Sequence, residues 1–383
     1  MNTSFHAICE AAAADWEVPA LVAGIATGDA TEVVAIGCGR ETLFRIASVT
    51  KPMTAALVVS LLRLDEAARV WPEDVRVRHL LSHTSGFDCE VGGDYGRFGE
   101  GDDALARCVG ELPGVRRFLG VDEVWSYANT GYWLAGLLAA ERAGATYEDA
   151  LDEHVFAPAG LEATSFAEPE LEGHGDDLPP TPYPRGRRPS GGLTSTIDDL
   201  LHFGAWLLRQ PVFEQMRLVH GKPVGGVYGL GLFGERVGGA DVWGHSGSYG
   251  GFQSSLLTVP ERGAVFAGLA NSDVGGKALR TIENAFFEQV LGERRREPRF
   301  VELDPAVYQG YTGAYENSDA TYAVEHPDGS DSLVVHVNGE EIVGRALDER
   351  RFQVPAGVHV GERFDFPREG FGRFGSRLAA RVA

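Results

Sequence analysis

The stretch Ser48–Leu64, SVTKPMTAALVVSLLRL, constrains this chain more than any other. Ala55, Ala56, Val58, Val59 and Leu62 recur at three- and four-residue spacings, which predicts a buried helix starting at Ser48. A helix this apolar needs other elements packed around it, so the fold must be organised about this segment. Pro52 fits because it lies in or just past the first turn, where a missing N–H costs least. Lys51 follows Ser48 by nearly one turn, so the two share a face. A neutral lysine beside a serine hydroxyl can take its proton, and the free amides of a first turn can stabilise an oxyanion. The same pair also fits a capping serine followed by a solvated lysine. Two features weigh against that reading. The chain has only three lysines, at 51, 222 and 277. A lysine on an apolar helix is also costly unless it is used or paired.

The chain has 383 residues, more than one ordinary domain, which points to a large catalytic domain and a smaller one. A net charge of −21 repels nucleic acid and anionic membranes, so neither is an expected partner. No apolar run reaches the ~18 residues of a membrane span. The opening, MNTSFHAICEAAAADWEV, reads as an amphipathic helix and lacks a basic region followed by an apolar one, so a cytoplasmic location is expected. Cys9, Cys38, Cys89 and Cys108 form no C-x-x-C and no metal-ligand spacing with histidine. They read as free thiols, with no metal and no cofactor expected.

In chain order, residues 4–17 are predicted to form a helix. Ala20–Ala26 and Val33–Cys38 flank Gly28-Asp29 as a β-hairpin. A connector over 64–78 turns at Trp71-Pro72-Glu73-Asp74 and precedes HLLSHTSGF, residues 79–87. Residues 91–103 read as a loop, and 167–192 as an irregular excursion rich in Pro, Gly and charge. Helices are expected over 104–112, 131–142, 147–156 and 196–208, the last capped by Ser195 or Thr196. Strand-like runs at 228–237, 241–243, 253–259 and 264–270 suggest an antiparallel meander, covered by a helix over 278–291. The composition changes at ERRREPR, residues 293–299. The predicted division is a catalytic domain over 1–295 and a small β-barrel or sandwich over 300–383, the latter from six short β-like segments.

Three separated pieces fit one chemistry: Ser48-Val49-Thr50-Lys51, Tyr127-Ala128-Asn129 and Gly244-His245-Ser246-Gly247-Ser248. With FRIASVTK, HLLSHTSGF, YANTGY and GHSGSYGGF in this order, the chain resembles the serine β-lactamase and penicillin-binding protein superfamily. The likeness is to the class C-like branch of DD-carboxypeptidases, D-aminopeptidases and esterases, and it covers roughly residues 5–292. The C-terminal Tyr-Thr-Gly-Ala-Tyr looks like the lipocalin-like β-domain of some members. The resemblance implies an α+β fold: an antiparallel sheet flanked by helices, a helical region carrying the Ser-x-x-Lys helix, and a small all-β domain.

By motif position the resemblance implies Ser48 as nucleophile, with Lys51 and Tyr127 sharing proton transfer and the identity of the base left open. Asn129 would hydrogen-bond the substrate amide and Lys51. The amides of Ser48 and Ser248 would form the oxyanion hole. Ser246 and Gly247, on the strand of the third motif, would pair with an extended substrate. His-Ser-Gly stands where true class C β-lactamases usually carry Lys-Thr-Gly, which argues against efficient β-lactam hydrolysis. His245 is expected to switch charge near neutrality, at its ordinary pKa of about 6.5. His79 and His83 read as structural, and Arg185, Arg187 and Arg188 as a solvated loop from which one could reach a substrate carboxylate. The resulting expectation is a cofactor-free serine hydrolase that forms an acyl-enzyme on a small amide, ester or short peptide, a D-residue peptide among them. An acyl-transferring esterase, thioesterase or cyclase, and a penicillin-binding sensor that stalls after acylation, are the alternatives. The C-terminal segment holds no nucleophile–base pair. It is expected to serve as structure or as a wall of the site, so that its removal would alter substrate preference more than ester chemistry.

Overall fold

The computed structural model describes residues 4–69, 72–88, 90, 93–176, 178, 182–357 and 359–382. Trp71 and Cys89 lie outside them. Cys9, Cys38 and Cys108 are free thiols. Two β units account for most strands. The first contains β1 (Leu21–Thr27), β2 (Ala30–Ile36), β5 (Val227–Tyr228), β6 (Phe233–Val237), β7 (Ala240–Tyr249), β8 (Phe252–Val259) and β9 (Ala264–Ala270). They form one antiparallel sheet in the order β2-β1-β9-β8-β7-β6-β5. A two-stranded pair, β3 (Phe44–Arg45) and β4 (Thr194–Ser195), lies beside it.

The sheet sits between two apolar layers. Helices Phe5–Asp15 and Gly275–Leu291 pack together on one face around Phe266, Ile282, Phe286 and Phe287. The other face carries helix Ile197–Leu207 and, beyond it, helices Thr50–Leu61 and Asn129–Ala143. Ten of the twelve residues of Thr50–Leu61 are buried. Its all-round apolar pattern is therefore satisfied by neighbours on every side. The N-cap of Ile197–Leu207 is Thr196, whose side chain accepts from the Asp199 amide.

The run predicted over 228–237 is two strands. The chain doubles back at 229–231, where the Leu230 amide donates to Met216 O and the Gly229 amide to Leu232 O. The strand predicted at 241–243 is ten residues long and carries the whole of the third motif. Beyond the ERRREPR linker, eight strands close a barrel in sequence order. They are β10 (Gly313–Glu316), β11 (Thr321–Glu325), β12 (Ser332–Val337), β13 (Glu340–Ala346), β14 (Arg351–Gln353), β15 (Arg363–Arg368), β16 (Phe371–Phe374) and β17 (Arg377–Val382). The last two strands and the helix Pro305–Tyr311, which places Tyr308 in the barrel core, were not among the predicted elements. Among the described residues no helix is long and apolar enough to cross a membrane.

Candidate active site

Ser48 lies in a single 3-10 turn, Ala47–Val49, which runs into the helix Thr50–Leu61. The regular helix thus starts just after the serine, and its first residues carry the lysine. Ala47 has φ 44°, a left-handed conformation that costs an L-residue roughly 1–2 kcal/mol. The neighbouring backbone is tied down to hold it. The Ile46 amide donates to Leu193 O at 3.0 Å, and Ile46 O accepts from Ser254 Oγ at 2.7 Å. Strand β7 packs against this turn at Gly247. A Cβ there would lie 2.2 Å from Ile46 O and 2.9 Å from the Ser48 nitrogen, so only glycine allows the approach.

Lys51 is 0% exposed. Its Nζ lies 3.1 Å from Ser48 Oγ and donates to Ser190 O at 2.6 Å. It also sits 4.7 Å from the Tyr127 ring centroid and 5.4 Å from that of Tyr132. Burial pulls its pKa well below the ordinary value, with Arg377 and Arg187 adding repulsion against the opposing pull of Glu90. The buried Tyr127 hydroxyl hydrogen-bonds the Ser48 side chain, and burial raises its pKa. Ser48 is therefore flanked by an amine shifted toward its neutral form and a phenol shifted toward keeping its proton. That arrangement can take a proton on one side and give one on the other.

Tyr127 is placed from two directions. His83 O accepts from the Ser126 amide at 3.0 Å, and His83 Nδ1 accepts from the Ala128 amide at 3.1 Å. The two bonds bracket Tyr127, whose ring lies 4.3 Å, centroid to centroid, from the imidazole. An accepting Nδ1 leaves the His83 proton on Nε2, which is buried without a hydrogen-bond partner among the described residues and ringed by Trp125, Tyr132 and Tyr228. Burial first, and then Lys51, holds the His83 pKa well below the usual range. His83, read from sequence as structural, is packed directly behind the proposed proton donor.

The second direction is the barrel. The Tyr127 amide donates to Ser376 O at 2.9 Å, Leu378 N donates to Ser126 Oγ at 3.1 Å, and Arg373 Nη1 donates to Trp125 O at 2.8 Å. All three groups come from β16, β17 and the turn between them. The C-terminal unit thus bonds the backbone of Trp125 and Tyr127 and the side chain of Ser126.

His245 differs from expectation. It is buried, its Nδ1 lies 2.6 Å from Ser246 O, and its Nε2 lies 3.2 Å from Tyr228 Oη. Burial, reinforced by Lys51, pushes its pKa down to about 3. It is neutral near pH 7, so the charge switch expected there is absent. Asn129 also differs. Its Nδ2 donates to Glu90 Oε1, and Ser190 O takes the place beside Lys51 that Asn129 was expected to fill. Asn129 Oδ1 is buried without a partner among the described residues. Ser246 and Ser248 are exposed on β7. Past Gly244, β7 pairs with β8 on one side and with no described strand on the other. An extended chain can add along that edge.

Sequence reasoning missed Glu90, Ser190, Arg377 and Ser376. Glu90, 12% exposed, collects Asn129, Tyr95, Arg187 at 3.4 Å and Arg377 at 3.6 Å. Arg377 comes from β17 and also pairs with Asp319. Arg187 is not solvated: it lies 4.2 Å from the Tyr95 ring centroid and against Trp133 and Tyr183. Arg185 and Arg188 are likewise committed, to Glu148 at 2.9 and 2.6 Å.

A helix-flanked antiparallel sheet with Ser48, Lys51 and Tyr127 gathered beside β7 defines a β-lactamase-fold hydrolase. The β-lactamase family profile matches residues 8–288, and the chain belongs to that family. It is 30% identical over 333 residues to penicillin-binding protein 4 of Amycolatopsis lactamdurans, covering 72% of this chain and 85% of that one. Its fold is similar to that of SurE, solved with D-Leu, at a TM-score of 0.77 and 23% identity, covering 99% of this chain and 98% of that one. It is also similar to the D-amino acid amidase of Ochrobactrum anthropi SV3, solved with L-phenylalanine amide, at a TM-score of 0.61 and 22% identity. That match covers 74% of this chain and 98% of the amidase.

Proposed function

We propose that the protein is a serine acyl hydrolase that cleaves a small amide, ester or short peptide through an acyl-enzyme on Ser48. The observation that carries this reading is the placement of the Ser48 hydroxyl between the Lys51 amine and the Tyr127 phenol. Their pKa values are shifted in opposite directions, which assigns opposite roles. Lys51 takes the Ser48 proton as Oγ bonds to the substrate carbonyl carbon. The carbonyl electrons move onto oxygen, beside the amides of Ser48 and Ser248. As the tetrahedral intermediate collapses, the bond to the leaving group breaks and Tyr127 supplies its proton. The proton held on Lys51 then restores the phenol. Water attacks the ester next, and the same relay returns a proton to Ser48. His245 supports the wall by bonding Tyr228, and Ser246 and Gly247 present the strand edge to the substrate.

The relatives support a substrate class. One neighbour is a D-amino acid amidase and another was solved with D-Leu, and a relative is a penicillin-binding protein. We therefore assign a substrate with a D-residue next to the scissile bond. In this reading the chain up to residue 295 supplies the reacting groups, and the chain from 300 onward completes the site. Turnover of p-nitrophenyl acetate and of paired D- and L-aminoacyl amides, in the parent and in Ser48→Ala, tests it. The variant is expected to lose about 10³-fold or more on every substrate. More than roughly a tenth of activity surviving would overturn the nucleophile, and an L-amide preference would overturn the substrate class.

A further inference from the structure

The ERRREPR linker does more than connect two units. Arg295 is 10% exposed and bonds Glu235 at 2.6 Å and Glu283 at 2.6 Å. Glu283 also accepts from Ser255 Oγ at 2.6 Å, so both carboxylates are committed. Two further arginines line the same cavity. Arg363 reaches in from β15 of the barrel, where Nε donates to Gln353 Oε1 at 2.8 Å and Nη1 to Val224 O at 3.4 Å, both neutral partners. Arg280 enters from the helix Gly275–Leu291 and makes no hydrogen bond or ion pair with a described residue. Arg280 is exposed at the cavity mouth, where partial desolvation and then repulsion from Arg295 hold it below the ordinary arginine value; desolvation and then Arg280 do the same for the half-buried Arg363.

The cavity is about 230 Å³, and Gly244 and Ser246 of β7 form part of its wall. It adjoins a second space of about 360 Å³ that shares all three arginines and adds Arg236, Arg294 and Arg296. Three guanidiniums face two carboxylates that Arg295 already occupies, in a chain of net charge −21. A planar guanidinium left without a paired carboxylate at the mouth of such a cavity is a binding group for an oxyanion.

We propose that this cavity binds a carboxylate or phosphate group between the linker, the helix Gly275–Leu291 and the barrel. Because the cavity reaches Ser246 on the free edge of β7, the group is either the substrate's own carboxylate, distal to the scissile bond, or a separate small anion. The binding itself is independent of the proposed reaction; only the first source rests on it.

The test uses the full chain carrying Ser48→Ala, so that no turnover enters. Inorganic phosphate and N-acetyl-D-alanine are titrated calorimetrically at constant ionic strength, with chloride as control. Saturable binding of one of them is expected, weakened about tenfold or more by either Arg280→Gln or Arg363→Gln. Absence of saturable binding, or binding that survives both substitutions, overturns the proposal. The source is read in chains with Ser48 intact, by comparing neutral and carboxylate-bearing esters. A rise in KM confined to the carboxylate-bearing ester in Arg280→Gln assigns the site to the substrate. Unchanged kinetics with lost phosphate binding assign it to a separate anion. An equal loss on both esters marks Arg280 as structural and overturns it.

Discussion

The backbone amide of Tyr127 donates to the carbonyl of Ser376, 2.9 Å away in the last turn of the barrel. The residue to which we assign leaving-group protonation is therefore held by the opposite end of the chain. The same hairpin supplies Arg373, which donates to Trp125 O and forms a buried pair with Asp365.

That pair separates stability from positioning. Arg373→Met leaves the Asp365 carboxylate buried and unpaired, a loss on the order of 3–5 kcal/mol that thermal denaturation will read as a fall in Tm. Arg373→Met with Asp365→Leu removes the charge imbalance and is expected to recover most of that Tm. The double variant still leaves Trp125 O unpaired, so its kcat on p-nitrophenyl acetate should stay about tenfold below the parent. Full recovery of both quantities would show that the barrel does not position Tyr127.

His83 makes a second, sharper test of positioning. Asparagine places an acceptor near the position of Nδ1 and tolerates the left-handed backbone found at His83, φ 58°. Leucine has nearly the same shape and no acceptor. Expected is a kcat for His83→Leu down about 10-fold to 10²-fold with KM within about threefold, and a partial rescue in His83→Asn. Equal losses in the two variants would reduce His83 to packing.

Lys51 gives a pH signature. Its folded pKa lies well below the 10.5 of an unfolded lysine. Between those two values the unfolded chain binds one proton more than the folded one, so stability rises with pH by up to about 1.4 kcal/mol per unit. Lys51→Met lacks this contribution. As pH rises between those two values, denaturant titrations should show the parent gaining stability relative to the variant, which should be inactive throughout. Parallel stability profiles would mean that folded Lys51 keeps its charge and is not the base.

Much of this architecture is written locally. Helical and strand periodicity fixed the layers around Thr50–Leu61 and the meander of β7, β8 and β9, and short spacings carried Ser48, Lys51, Tyr127 and His245. What stayed hidden depends on distant contacts. The strands Phe371–Phe374 and Arg377–Val382 are short and interrupted by arginine, so their alternation is weak, yet they hold Tyr127. Glu90 sits beside a Gly- and Asp-rich loop with no periodic signal. The neutrality of His245 and the stacking of Arg187 on Tyr95 follow from burial, which no local spacing encodes.

His245 should leave no mark on the pH profile near neutrality. With its pKa pushed down to about 3, it is neutral across the working range. His245→Gln, which can keep a bond to Tyr228, should change the height of the kcat/KM profile for a neutral ester between about pH 5 and about pH 8 but not its shape. Disappearance of a limb near pH 6.5 in the variant would show that His245 titrates there.

Covalent capture tests the centre of the account. Intact-mass spectrometry after treatment with a fluorophosphonate should show a single adduct on the full chain, located at Ser48 by peptide mapping. Ser48→Ala should show no adduct, and Lys51→Met should slow labelling by about 10²-fold or more. An adduct on another residue, or labelling of Ser48→Ala at the parent rate, would contradict Ser48 as the nucleophile.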